Sequence, residues 1–122
     1  MRNTSSPLAR RDALLLAAAV GTAVAGCNPC QDTCEVVGDA YDECLGDWGQ
    51  TWVMVGAADG RDQWVAQCQE EESHTEEGLD SEAVATRHDS CSEFNSALRG
   101  ALDGDTPCDA AFQVLLDHAV TF

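Results

Sequence analysis

The sequence predicts a small all-α domain, and three observations carry that expectation. Apolar residues recur at three- and four-residue spacing in four separate stretches. The one strand-like segment, residues 48–56, has no second strand to pair with. Cysteines fall singly or in pairs along the helical stretches, as cross-link points between helices would. The expected architecture is a bundle of about four short amphipathic helices stapled by up to three disulfides. Residues 1–26 read as a leader, 27–31 as an N-terminal tether, and 32–122 as the helical domain.

Residues 32–48 place Cys34, Val37, Tyr41, Cys44, Leu45 and Trp48 on one stripe, with both cysteines on the face turned inward. Asp32 followed by Glu35 forms a variant of the capping box. Gly38 and Gly46 each cost about 1 kcal/mol against Ala in a helix, so fraying is expected at Gly46 and the stop at Gly49. Residues 48–56 then form a connecting loop packed by Trp52.

Asp59 opens the second helix, with Asp62 in its first turn and Trp64, Val65 and Cys68 inward. Glu70, Glu71 and Glu72 oppose the dipole at a helix C-terminus, so an end near Ser73 and a solvated linker over 73–78 are expected. After Asp80 as N-cap, Val84, His88, Cys91, Phe94, Leu98 and Leu102 recur every three or four residues up to Asp103 and Gly104, the strongest helical pattern in the chain. Thr106 as cap, Pro107 at the first position and Asp109 in the first turn start a fourth helix with Cys108, Ala111, Phe112, Leu115 and Ala119 inward.

The leader decides where such a domain would work. Arg2, Arg10 and Arg11 stand without an acid in residues 1–11, and an unbroken small-and-apolar run fills 13–25. That is the layout of a signal peptide, and the run is short of the roughly 20 residues a bilayer-crossing helix needs. It ends in Val24, Ala25, Gly26 and Cys27, which resembles the lipobox of prokaryotic lipoproteins. The resemblance covers residues 1–27 and implies cleavage before Cys27, lipid on its thiol and attachment to a membrane. Arg10 and Arg11 ahead of a moderately apolar core also resemble a twin-arginine export signal.

Cysteine arithmetic points the same way. There are seven cysteines, at 27, 30, 34, 44, 68, 91 and 108, and an odd number in an exported protein leaves one over. Lipid on Cys27 leaves Cys30, Cys34, Cys44, Cys68, Cys91 and Cys108, an even set for three disulfides of undetermined connectivity. Staples worth about 2–4 kcal/mol each matter in a domain this small. Cys27 and Cys30 have CxxC redox spacing with Pro29 between them, but no strand precedes them and lipidation consumes the first thiol. Gln31 after Cys30 excludes a haem-attachment motif, and spacings of 10, 24, 23 and 17 from Cys34 onward are not those of a zinc ribbon.

Charge removes further classes. Twenty-two acids against six Arg and no Lys give a formal net charge of −16, which repels nucleic acid. The lack of Lys beside abundant Asp, Glu and Ala resembles the composition of proteins from high-salt prokaryotes, so the acidity need not signal a cationic partner. His88 lies on an apolar stripe and reads as a core or boundary residue. Counting from Asp103, an EF-hand loop would need Gly and Glu where Cys108 and Val114 stand. No GxSxG or related nucleophile motif is present. The expectation is a lipid-anchored cell-envelope module, structural or interacting, with no enzymatic role, no cofactor, no metal and no nucleic acid. The alternatives are a cation-binding protein using the acidic 70–77 segment and, behind it, a thiol oxidoreductase using Cys27 and Cys30.

Overall fold

A computed structural model describes residues 28–118. They form four α-helices: α1 over Pro29–Cys44, α2 over Arg61–Glu77, α3 over Ser81–Leu102 and α4 over Pro107–Asp117. No strand occurs among the described residues. The lipobox, both leader arginines of the export motif, Cys27 and Ala119 lie outside them.

α1 is the hub. It begins at Pro29 because Asn28, not Asp32, is its N-cap: the Asn28 side chain accepts from the backbone N–H of Cys30 at 3.0 Å and of Gln31 at 3.3 Å. Pro29 at the first position needs no hydrogen bond there. Asp32, freed from capping, pairs with Arg99 of α3 at 2.8 Å. The helix stops at Cys44, earlier than the expected Gly49, and residues 45–49 continue as turns that end with Gly49 at φ +69°. Trp48 therefore packs from a turn, edge-on to Tyr41 and tilted against Phe112.

The neighbours of α1 follow from sequential pairs. Asn28 meets Glu76, Gln31 meets Gln69 and Ser73, and Arg61 meets Asp39, so α2 runs antiparallel to α1. α3 returns through the short 78–80 turn, and α4 folds back along α3 through 103–106, bringing His118 onto Phe94. The result is an up-down-up-down bundle. Its apolar core comes from α1 and the turn that follows it, α3 and α4: Val36, Val37, Ala40, Tyr41, Leu45, Phe94, Leu98, Ala111 and Leu115, roofed by Trp48, Trp52 and Trp64. Trp52 packs the 48–56 loop onto Tyr41, as expected of a connecting loop, while Val53 and Met54 stay exposed.

α2 differs from expectation at its end. It runs through 73–77 to Glu77, where a solvated linker is predicted. Of the three acids expected to end it, Glu72 pairs with Arg87 of α3, and further on Glu76 meets His88 of α3 at 3.0 Å and accepts from Asn28, ahead of α1, at 3.4 Å. At the other end Gly60 at φ +103° is the N-cap, and Asp59 acts through its backbone N–H, donating to Gln63 Oε1 at 2.8 Å. Gly38 has a packing role that helix propensity cannot show. A Cβ there would lie 2.7 Å from Val65 Cγ2, so glycine lets α2 approach α1.

The two later helices start as predicted, Asp80 accepting from Ala83 N–H at 2.8 Å and Pro107 occupying the first position of α4. Thr106 holds the N-cap position of α4 without a side-chain capping bond.

Candidate functional site

All six cysteines of the described domain are bonded, and every bond has one end on α1. Cys30 joins Cys91 of α3, Cys34 joins Cys68 of α2, and Cys44 joins Cys108 of α4. The hub thus carries three cysteines and each other helix one. Placing Cys30 in a tether hid this pattern in the sequence. Since Cys30 is fully buried and bonded to Cys91, it does not form a CxxC pair with Cys27 in this oxidised state.

The charged groups add bridges, not all of which involve α1. Three Arg lie in the described residues, and each bridges a different pair of helices. Arg61 of α2 reaches Asp39 of α1 at 2.8 Å, Arg87 of α3 pairs with Glu72 of α2, and Arg99 of α3 reaches Asp32 of α1. Asn95, buried on α3, joins the same network: its amide donates to Pro29 O at 2.9 Å and its carbonyl oxygen accepts from Thr33 Oγ1 at 2.6 Å. Helical periodicity alone places Asn95 beside Phe94 without revealing this partner, because the acceptor is a backbone carbonyl on another helix.

The densest polar chemistry lies where α1 begins, α2 ends and α3 passes. Cys30 Sγ, a Glu76 carboxylate oxygen and a His88 ring nitrogen all lie within 4.8 Å of one another. Arg87 Nε is 3.9 Å from Glu76 Oε2 and has no hydrogen-bond partner of its own although buried. Beside this cluster, a groove of about 340 Å³ is lined by Thr33, Glu72, Arg87, Ser90, Cys91 and Phe94, with His118 at its edge. Oxidised, Cys30 offers a disulfide sulfur and no thiolate, so His88 and Glu76 are the ionisable groups that face each other there.

The acidic 70–77 segment is drawn into this picture by its helical form. Glu72 and Glu76, one turn apart, face α3 and are paired, whereas Glu70, Glu71 and Glu77 are exposed. His74 stands at 3.8 Å from Glu77 on the outer face. His88, expected as a core or boundary residue, sits at the boundary and is bonded to Glu76. No helix among the described residues is long and apolar enough to cross a membrane. No protein-family model, no curated protein and no solved structure matches this chain.

Proposed function

We propose that the chain is a lipid-anchored cell-envelope module whose helical domain is displayed by lipid on Cys27. The observation that carries this reading is the closed pairing of the other six cysteines, which leaves the odd thiol at the residue where the leader resembles a lipobox. Three disulfides suit an oxidising compartment outside the cytoplasm. Cys27 directly precedes Asn28, the N-cap of α1, so a lipid there would hold the start of α1 close to the bilayer. The opposite end of the bundle, with the exposed Val53 and Met54 of the 48–56 loop, would then face away from the membrane. The domain's role in this reading is structural or interacting.

The test is fractionation of cells expressing the wild-type chain or Cys27→Ser. The proposal expects wild type in the membrane fraction and extractable by detergent, and Cys27→Ser released or left as uncleaved precursor without lipid. Identical membrane association and identical mass in both would contradict it. Replacing Arg10 and Arg11 by Lys tests the export route separately, since loss of export there points to the twin-arginine pathway.

A further inference from the structure

We propose that, when the Cys30–Cys91 disulfide is reduced, Cys30, Cys91, His88 and Glu76 hold one zinc ion. One point in the bundle is then clasped either by a covalent bond or by a metal. The ligands come from three helices, Cys30 from α1, Glu76 from α2, and His88 and Cys91 from α3.

Geometry carries the proposal. Donor atoms of a tetrahedral zinc site sit about 2.0–2.3 Å from the ion and so about 3.3–3.8 Å from each other. The donor atoms of Cys30, His88 and Glu76 already lie within 4.8 Å of one another, and His88 Nε2 and Glu76 Oε2 within 3.0 Å. A small contraction and expansion of that triangle places an ion at its centre. Cys91 Sγ, bonded to Cys30 Sγ in the oxidised chain, would have to turn about its own side chain once freed to supply the fourth ligand. His88 and Cys91 stand three residues apart on α3, the spacing that puts two side chains on one helix face.

The surroundings suit the ion. Two thiolates, one carboxylate and Zn²⁺ sum to one negative charge, and the Arg87 guanidinium lies 3.9 Å from Glu76 to offset it. Asn28 Nδ2 donates to Glu76 Oε1 at 3.4 Å, a bond that steadies the ligand without occupying Oε2. Cys30 is buried, while the Glu76 and His88 side chains are 17% and 30% exposed, which leaves a path for the ion. Two soft thiolates with one imidazole and one carboxylate select zinc over the oxygen-seeking Ca²⁺ and Mg²⁺.

The redox step balances as follows. A thiol or phosphine reductant supplies two electrons, and two protons are taken up, so the S–S bond breaks to two thiols while the reductant is oxidised. Zinc binding displaces both thiol protons to solvent. A disulfide oxidant later removes two electrons, re-forms the Cys30–Cys91 bond and releases the zinc. In a reducing compartment the metal therefore holds α1, α2 and α3 in register before the disulfide forms, independently of any lipid on Cys27.

The experiment uses the full chain carrying Cys27→Ser, so that the seventh thiol takes no part. It is reduced with a phosphine and titrated with Co²⁺, which reports thiolate ligation by its charge-transfer bands, and then with Zn²⁺. The expected result is one ion per chain, tetrahedral cobalt bands with two thiolates, a rise in helical circular dichroism on binding, and no such bands in the oxidised chain. His88→Ala and Glu76→Gln should each weaken binding about tenfold or more. Cys34→Ala with Cys68→Ala should leave it in place. A second arm uses Cys91→Ser with the other two disulfides kept, where Cys30 supplies a single thiolate and one-thiolate cobalt bands are expected. Absence of thiolate bands in both arms overturns the proposal. So does affinity that is unchanged in His88→Ala and Glu76→Gln, or binding that disappears with Cys34 and Cys68.

Discussion

α2 and α4 are each joined to α1 by one disulfide, but the rest of their attachment differs. α4, with 11 residues, fully buries Ala111 and Leu115 and lays Phe112 against Trp48. α2, with 17 residues, buries Val65 and sets Trp64 against Tyr41, and is further attached through Cys34–Cys68, the Arg61–Asp39 pair, reciprocal amide contacts between Gln31 and Gln69, and the Glu72–Arg87 pair with α3. A helix whose composition is mostly acid and amide cannot hide enough apolar surface to stay docked, and covalent and polar bridges take over that role. Each helix has one disulfide to α1; beyond it, α4 is placed by apolar packing and α2 mainly by polar bridges.

Breaking the cross-link of α2 should have the largest effect. Cys34→Ala with Cys68→Ala opens a loop spanning 34 residues, and chain entropy alone puts the loss at about 4 kcal/mol. Native-state hydrogen exchange should show α2 amides losing protection first while α3 and α4 stay protected. Equal loss in all helices would remove the distinction between the two regions. On the packed side, Leu115→Ala deletes a fully buried side chain and should cost about 3 kcal/mol, read by chemical denaturation as a cooperative loss across α1, α3 and α4.

Gly38→Ala sharpens the comparison at the α1–α2 contact. Helix propensity favours Ala by about 1 kcal/mol, but the new Cβ meets a stiff, buried Val65 methyl at 2.7 Å. The clash should win, with a net loss of about 1 kcal/mol that Val65→Ala in the same chain partly relieves.

A smaller effect is confined to alkaline pH. Burial pushes the Tyr41 phenol up from its usual value near 10, so its contribution to stability is complete below that value and is lost as pH rises through the raised one. Tyr41 is the chain's sole tyrosine, so phenolate absorbance should report one transition above the usual range, collapsing to the usual range once the chain is unfolded. The smallest effect belongs to Arg99→Gln, about 0.5 kcal/mol and diminishing with added salt, because its pair with Asp32 is largely solvated.

Legibility in the sequence followed the same division. The periodic stripes of α3 and α4, with Asp80 and Pro107 at their starts, were readable because apolar residues at helical spacing and local caps are encoded within a few positions. The boundaries of α1 and α2 were not, because their causes lie on other helices. Asp32 looks like the cap in the sequence, but Asn28 holds that position and Asp32 pairs with Arg99, while the acids of 70–77 look like a helix end until Arg87 and His88 face them. The disulfide set was readable as a count, whereas its radial connectivity from α1 required knowing that Cys30 is helical. The cluster of Cys30, Glu76 and His88 has no local spacing at all, since it is assembled from three helices.

The most direct test of the account is intact mass spectrometry of the protein taken from its native membrane, alkylated first without and then with reduction, with peptide mapping of the pairs. The account predicts a chain beginning at Cys27 with acyl mass attached, no alkylation before reduction, six alkylated thiols after it, and Cys30 linked to Cys91. An unlipidated chain in which Cys27 alkylates without reduction would contradict it.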